Sequence, residues 1–370
     1  MFDHLFSPLE VGGLELKNRL TMTPLFLGWA GEEGLASPAL IDHYRLMAQS
    51  GVALVVVENA SIDHPGASGS HRELRADTDQ YLEGLTRLAQ TIKREGARAS
   101  LQLNHAGRFA RASDDPVSPS AVETFGRTPR ALTTEEMRAI VGKFAECAVR
   151  VQQAGFDMVE LHGGTGYLLA SFISPRTNRR DDDYGGSLEN RCRFPVEVIG
   201  AVKAAVKDFP VGYRLLADEW LPDGLGIEEA CRAARLLEAA GVAYLSVQGG
   251  TYESFGLPEV VEKSRNPGYM VDLAAAVKSV VDIPVIAAGR IDSGRLADDI
   301  IAEGRADLVG LARVLWADPE WPAKVRDGRE DEIVHCDCPD ACNKLVAAGK
   351  PAVCARWERE TLTAWKAKLS

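Results

Sequence analysis

Short apolar runs alternate along the chain with longer stretches in which apolar residues recur at helical spacing. A continuous aliphatic run such as 52–57 predicts a strand of a parallel sheet that is buried on both faces. The predicted strands are 20–25, 52–60, 97–104, 156–162, 211–217, 243–248, 284–289 and 307–311. The predicted helices are 38–50, 79–94, 134–154, 188–208, 227–240, 271–280, 294–302 and 319–325. Eight strand–helix units in strict alternation predict a closed (β/α)₈ barrel, an α/β TIM barrel, rather than an open sheet.

The ends of the predicted elements carry recognisable signals. Thr133 and Glu136 predict a capping box at the start of the third helix. Residues 5–18 predict a small N-terminal hairpin that closes the bottom of the barrel. We expect one barrel domain over residues 1–330 and a short cysteine-bearing extension, packed on the barrel, over 331–370. Five glycines are placed to end a helix in the left-handed conformation: Gly51, Gly96, Gly155, Gly241 and Gly304.

Composition narrows the range of functions. The 370 residues are 46% hydrophobic and 26% charged, which suits a large core and excludes a disordered chain. The 42 basic residues are outnumbered by 53 acidic ones, so we expect neither nucleic acid nor an anionic membrane as a partner. No secretory signal is visible, which favours the cytoplasm and reduced cysteines. A homo-oligomer stays open.

Polar residues unsuited to a core collect where the predicted strands end, which is where barrel enzymes place their chemistry. The loops after strands seven and eight commonly build a phosphate site, where Gly289 permits close approach and Arg313 offers a bidentate contact. The chain has no glycine fingerprint between a strand and a helix, so a mononucleotide such as FMN is favoured over a Rossmann-bound dinucleotide.

Four segments resemble the old yellow enzyme family of FMN-dependent ene-reductases, and the resemblance extends over roughly residues 4–325. These segments are 17–24, 102–108, 160–168 and 174–191. The resemblance implies FMN as cofactor, NADPH or NADH as hydride source, and ping-pong reduction of an activated alkene, meaning an α,β-unsaturated carbonyl or nitro compound. The implied FMN-binding positions are Pro24, Leu25, Phe26, Ala60, Gln102, Arg214, Gly289, Arg290, Ala312 and Arg313.

The resemblance also implies catalytic roles. His162 and Thr165 would grip the carbonyl or nitro oxygen of the substrate, and Tyr167 would donate the proton. Thr165 stands where the family usually has a second histidine or an asparagine, and Phe26 stands where many members have a cysteine or threonine at the flavin edge. We therefore expect an altered oxygen clamp and a narrower pocket, which leave the substrate less defined than the cofactor.

Four cysteines fall within a short C-terminal segment: Cys336, Cys338, Cys342 and Cys354. The spacing of the last three is similar to that of the [4Fe–4S] ligands in 2,4-dienoyl-CoA reductase and trimethylamine dehydrogenase, although the first ligand position falls on His335. An iron–sulfur cluster, a zinc ion completed by Cys336 or His335, and an empty site stay open.

Two other functions stay open. The first is oxidation of an amine, as in the trimethylamine dehydrogenase branch of the family, which the cysteine segment slightly favours. The second is a flavin-binding subunit of a larger electron-transfer complex. His162 together with Tyr167 favours alkene reduction over amine oxidation.

Overall fold

The computed structural model describes residues 2–31, 33–337 and 341–369. Eight parallel strands form a barrel in which β1 pairs with both β2 and β8, so that the sheet is closed and the predicted TIM barrel is confirmed. Near-continuous apolar side chains fill strands that are covered on both faces. The barrel strands are β1 Leu20–Met22, β2 Leu54–Ser61, β3 Arg98–Asn104, β4 Met158–Gly163, β5 Val211–Asp218, β6 Tyr244–Gly249, β7 Val285–Ala287 and β8 Leu308–Leu311.

Helices cover the outside of the barrel. Their apolar faces are buried against the strands, and the capping box of Thr133 and Glu136 is present. All five cap glycines have positive φ, between 67° and 96°, as predicted. No helix in the part of the chain described above is long and apolar enough to cross a membrane. The eight helices are α1 Pro38–Gln49, α2 Leu82–Arg94, α3 Thr134–Gln153, α4 Leu188–Val206, α5 Ile227–Ala239, α6 Val271–Lys278, α7 Gly294–Ala302 and α8 Trp321–Arg326.

Several short elements were missed by the sequence pattern. Each has six residues or fewer, which is too short to show a helical or strand period. Most of these segments lie in the loops that follow the barrel strands, and they shape the open end of the barrel. They are the helices Leu168–Ile173, Pro258–Lys263 and Arg313–Ala317, the 3₁₀ turns Gly107–Phe109 and Glu330–Glu332, and the strands Leu74–Arg75, Val117–Ser118 and Arg130–Ala131. The predicted helix 79–94 begins with a 3₁₀ turn, Asp79–Tyr81, before α2.

The N-terminal hairpin closes the bottom of the barrel, as predicted. Its strands are Leu9–Val11 and Leu14–Leu16, joined by a tight turn. Val11 and Leu16 are buried in one apolar cluster with the residues that begin four barrel strands, among them Leu54 and Leu308. A ligand therefore reaches the barrel interior from the opposite end, where the strands terminate.

The C-terminal segment contains the helices Ala341–Ala347 and Arg359–Leu369. The main chain of Ala352 donates a hydrogen bond to Leu27 O (2.9 Å) and accepts one from Trp29 Nε1 (2.8 Å). Four indole rings pack together across this contact, with centroids 4.8 to 6.4 Å apart. This tryptophan cluster consists of Trp29, Trp316, Trp357 and Trp365. The segment thus packs on the barrel, while the domain boundary at residue 330 stays a prediction.

Candidate active site

A cleft of about 630 Å³ opens at the end of the barrel where the strands terminate. Six of the ten predicted FMN-binding residues line it: Pro24, Arg214, Gly289, Arg290, Ala312 and Arg313. Of the other four, Ala60 and Gln102 are buried in β2 and β3, and Leu25 and Phe26 are half-buried after β1. The cleft therefore brings together the predicted phosphate positions and part of the predicted ring positions.

One side of the cleft is lined by the loop after β7. Gly289 has φ +111°, and a Cβ there would lie 2.9 Å from the main-chain nitrogen of Met270, so only glycine fits. The guanidinium of Arg290 donates to Ser264 O (3.0 Å) and Cys336 O (2.7 Å). This arginine side chain therefore ties two loops together, and we expect its main chain, rather than its guanidinium, to face a phosphate.

A buried carboxylate lies beneath the cleft, inside the barrel. Glu160 on β4 accepts hydrogen bonds from Gln102 Nε2 (2.7 Å) and from the Tyr244 hydroxyl (3.0 Å). Burial raises the pKa of Glu160, and the nearby charge of Arg214 opposes this rise. Glu160 is a polar residue in the middle of an apolar strand, and that interruption was the sequence signal that could have revealed it.

Arg214 on β5 connects this network to the loop after β4. Its Nε lies 2.6 Å from Gln248 Oε1, and its Nη1 lies 3.2 Å from Ser246 Oγ. Gln248 Nε2 in turn lies 2.8 Å from Thr165 Oγ1. The side chains of Arg214, Gln248 and Thr165 therefore form one hydrogen-bonded chain that runs from the cleft to a predicted catalytic residue. Gln248 was not identified from the sequence.

The turn after β4 presents the predicted catalytic residues together. Thr165 and the following glycine both have positive φ, +60° and +86°, which reverses the chain within a few residues. The turn closes with a hydrogen bond from the Tyr167 amide to Gly164 O (3.1 Å). The rings of His162 and Tyr167 then meet edge to face, with centroids 4.9 Å apart and planes at 87°.

The protonation of His162 follows from its surroundings. The amide of Gly164 donates to His162 Nδ1 (3.2 Å), so Nδ1 is the acceptor nitrogen. Burial, together with the charge of Arg214, holds the pKa of His162 well below its usual value. The imidazole is therefore neutral at pH 7 and carries its proton on Nε2, where it is able to donate to a ligand.

Tyr167 has a second phenol as its partner. Its hydroxyl lies 2.8 Å from the hydroxyl of Tyr252, which belongs to the loop after β6 and is 40% exposed. Burial, with Tyr252 and Glu73 nearby, raises the pKa of Tyr167 well above 10. Tyr167 is thus a protonated acid throughout the neutral range. Tyr252 was missed because nothing in its local sequence distinguishes it from an ordinary loop tyrosine.

The loop that carries Tyr252 is held by a partly buried ion-pair network. Its neighbour Glu253 accepts from Arg108 Nη1 (2.5 Å) and from Arg176 Nη2 (3.0 Å). Arg108 also donates to Thr124 Oγ1 (2.9 Å). Loops that follow three different strands therefore hold one another in place around the open end of the barrel.

The C-terminal cysteines lie beside the cleft. Cys336, Cys342 and Cys354 line one cavity of about 260 Å³ together with Arg313, and Cys336 and Arg313 also line the cleft. Burial raises the pKa of the Cys342 and Cys354 thiols. Cys338, the fourth predicted ligand, lies outside the described residues. Within those residues, no group of three or more metal-ligating side chains is arranged to hold a metal ion.

Comparison with known proteins provides independent information. The model of the NADH:flavin oxidoreductase / NADH oxidase family matches residues 4–332. An NADH oxidase of Thermoanaerobacter brockii is 44% identical over 350 residues, which are 92% of this chain and 54% of that protein. An NADPH dehydrogenase of Geobacillus sp. (strain WCH70) is 37% identical over 86% of this chain and 92% of that one.

Two solved structures extend this similarity into the C-terminal segment. A 2-naphthoyl-CoA reductase superposes with a TM-score of 0.92 at 29% identity, covering 99% of this chain and 58% of that one. Histamine dehydrogenase from Rhizobium sp. 4-9 superposes with a TM-score of 0.85 at 28% identity, covering 96% of this chain and 52% of that one. The chain thus spans about half the length of several proteins that it matches.

Proposed function

The chain belongs to the NADH:flavin oxidoreductase / NADH oxidase family, which includes the old yellow enzymes, and we propose on that premise that it binds FMN and reduces activated C=C bonds with NADPH or NADH. The proposed substrates are α,β-unsaturated carbonyl or nitro compounds. The donor pair formed by His162 and Thr165, next to the acid Tyr167, is the observation that carries this proposal.

The cleft has donor groups of the kind that FMN requires. Gly289 and Ala312 line the cleft together with Arg313, whose positive charge would suit the phosphate. Arg214 also lines it, and its guanidinium would stabilise negative charge on a reduced flavin. Bound there and reduced by NADPH or NADH, FMN would supply the hydride.

Reduction of an enone builds negative charge on its carbonyl oxygen as hydride reaches the β-carbon. The Nε2–H of the neutral His162 and the hydroxyl of Thr165 would donate to that oxygen and stabilise the charge as it forms. Tyr167 would then give its proton to the α-carbon. Its raised pKa keeps that proton in place until the carbanion forms.

Amine oxidation is the second candidate, favoured by the similarity to histamine dehydrogenase and by the position of the cysteines beside the cleft. The donor set of the site argues against it. A neutral amine, the form that a flavin oxidises, has one lone pair, and a hydrogen bond from His162 Nε2 or Thr165 would occupy the electrons that must react. A substrate with an acceptor oxygen uses both donors.

Anaerobic mixing separates these functions. We expect the purified protein to be yellow and to release FMN, not FAD, when it is denatured. NADPH or NADH should bleach the flavin, and 2-cyclohexenone should restore its absorbance. Bleaching by methylated amines alone would establish amine oxidation instead. A flavin that responds to none of these compounds would indicate a subunit of an electron-transfer complex.

We further propose a metal centre in the cysteine cavity, with Cys336, Cys338, Cys342 and Cys354 as its ligands. Tetrahedral zinc, with Zn–S bonds of about 2.3 Å, needs sulfurs about 3.8 Å apart. The described thiols are not gathered into such a group, although they share one cavity of about 260 Å³. An iron–sulfur cluster and a zinc ion are both candidates for this site. Iron, sulfide and zinc analysis of anaerobically purified protein tests the assignment.

A further inference from the structure

We propose that Gln248 is a positioning residue that fixes the direction of the Thr165 hydroxyl, so that this hydroxyl donates its proton to the substrate oxygen. The inference rests on the proposed function, because it takes the substrate to present an acceptor oxygen beside Thr165. Gln248 is the penultimate residue of β6, whereas Thr165 follows β4, so the two meet across the intervening strand β5.

The orientation of the Gln248 amide is determined by its neighbour Arg214. The Nε of Arg214 lies 2.6 Å from the terminal amide of Gln248. A guanidinium only donates hydrogen bonds, so the atom facing it is the carbonyl oxygen of the amide. Arg214 is itself held by Ser246 Oγ at 3.2 Å, which prevents it from following a rotating amide.

The direction of the Thr165 hydroxyl then follows. The other side of the Gln248 amide is its NH₂ group, whose nitrogen lies 2.8 Å from Thr165 Oγ1. An amide NH₂ only donates, so the hydroxyl oxygen accepts, and the proton of Thr165 is left for another acceptor. None of the described residues accepts a hydrogen bond from this hydroxyl. The oxygen of a bound enone or nitro compound is the acceptor that completes the chain.

Packing holds the Gln248 amide beside the other donor. A Cβ on Gly164 would lie 2.8 Å from Gln248 Oε1 and 3.1 Å from His162 Cε1, so both side chains border the same glycine. Gln248 is 6% exposed, and Thr165 is held at φ +60°. The hydroxyl and the imidazole are therefore presented from one rigid turn.

The hydrogen bonds run in a single direction, from Arg214 through Gln248 and Thr165 to the substrate. A chain that begins at a buried cation polarises each successive donor. This arrangement explains how a single threonine hydroxyl serves where the family usually places a histidine or an asparagine. It also connects the residue proposed to face the flavin with the group proposed to hold the substrate.

The Gln248→Glu substitution tests this directly, because it keeps the shape of the side chain and removes the donor. Beside Arg214 the new carboxylate stays ionised and accepts from Thr165, which turns the threonine proton away from the substrate. We expect Gln248→Glu and Thr165→Ala each to slow flavin reoxidation by 2-cyclohexenone about 10-fold, close to the effect of losing one hydrogen bond. In the Thr165→Ala background, Gln248→Glu should slow flavin reoxidation by less than about 2-fold.

Binding of the unreactive ketone cyclohexanone gives a second measurement, followed by the perturbation of the oxidised flavin spectrum. The dissociation constant of cyclohexanone should rise by about 10-fold in Gln248→Glu and in Thr165→Ala. In the double variant it should rise little further than in Thr165→Ala alone. Gln248→Met, which also lacks the donor but adds no charge, controls for the electrostatic effect of glutamate on the flavin.

The failure of this inference differs from the failure of the proposed function. A wild-type enzyme that no enone reoxidises refutes the function, and the ketone-binding cycle still tests the role of Gln248. The opposite outcome is that Gln248→Glu has the same effect on reoxidation, or on ketone binding, in the wild-type and Thr165→Ala backgrounds. That result would show that the glutamine acts on the flavin rather than on the threonine, and it would overturn the proposal.

Discussion

Replacing Tyr167 by phenylalanine separates proton donation from hydride transfer. The substitution removes one hydroxyl from a ring that is 7% exposed and packs edge to face on His162, so the ring packing is retained. Without its acid, flavin reoxidation by 2-cyclohexenone should slow by about 10²-fold or more. That factor corresponds to about 2.7 kcal/mol of transition-state stabilisation.

The reductive half-reaction should change little, because hydride transfer from the nicotinamide needs no proton from Tyr167. Both half-reactions can be measured by stopped-flow absorbance of the flavin under anaerobic conditions. The variant should lose about 1 kcal/mol of unfolding free energy, the usual contribution of one hydrogen bond, because the Tyr252 hydroxyl loses its partner.

Tyr252→Phe is the matched control. It removes the same hydrogen bond of 2.8 Å from the opposite side and leaves the Tyr167 hydroxyl in place. Its stability loss should be at least that of Tyr167→Phe, because the hydroxyl left without a partner is the buried one, while reoxidation should slow by less than about 5-fold. If the two variants slow reoxidation equally, or if Tyr167→Phe slows both half-reactions equally, then Tyr167 is a structural residue and the assigned acid is wrong.

Three further predictions concern other groups. His162→Ala should remove on the order of 3 kcal/mol of transition-state stabilisation from flavin reoxidation, and Thr165→Ala should remove less. An equal or larger loss in Thr165→Ala would show that threonine, and not histidine, is the main donor. Burial lowers the pKa of His43 and His105 to about 3, so the stability that these neutral histidines provide is present above pH 6.5 and is lost as the pH falls towards 3. His105→Gln should therefore reduce the slope of unfolding free energy against pH by about 1.4 kcal/mol per pH unit between pH 5 and 6, as measured by unfolding in urea. An unchanged slope would mean that His105 is protonated in the folded state. Cys342→Ser should lower the iron or zinc content to less than half, whereas Cys147→Ser, far along the chain in α3, should leave it unchanged; equal metal in both would reject the cysteine cavity as the site.

The barrel could be predicted because its signals are local. Apolar runs gave the strands, helical periodicity gave the helices, and glycine with positive φ ended five of them. The predicted strands β1 and β7 were too long, because the residues after their true ends, such as Pro24 and Gly289, are mostly apolar although they belong to loops that line the cleft. The short helix Leu168–Ile173 was missed, since six residues are too few for a period.

The residues of the candidate site could be predicted only where they lie together in one sequence motif. His162, Thr165 and Tyr167 lie within six residues of one another and were recognised together. Gln248 and Tyr252 contact this group from 83 and 85 residues away. Barrel closure brings such partners together, and no local pattern marks them. Glu160 was missed for a different reason. A single acidic residue in an apolar run does not show by itself whether it is buried and hydrogen-bonded, and its partners Gln102 and Tyr244 lie on other strands.

The position of Cys336 in the wall of the cleft has a consequence for the order of events during synthesis of the protein. Chains emerge from the ribosome N-terminus first. β1 is among the first elements made, yet it pairs with β8, so the sheet closes only after residue 311 has emerged. The carbonyl of Cys336, which holds Arg290, arrives later still. A nascent chain therefore gains a complete binding cleft only after residue 336 has emerged, and a chain that has emerged past residue 311 but not past residue 336 should have a closed barrel that retains FMN poorly.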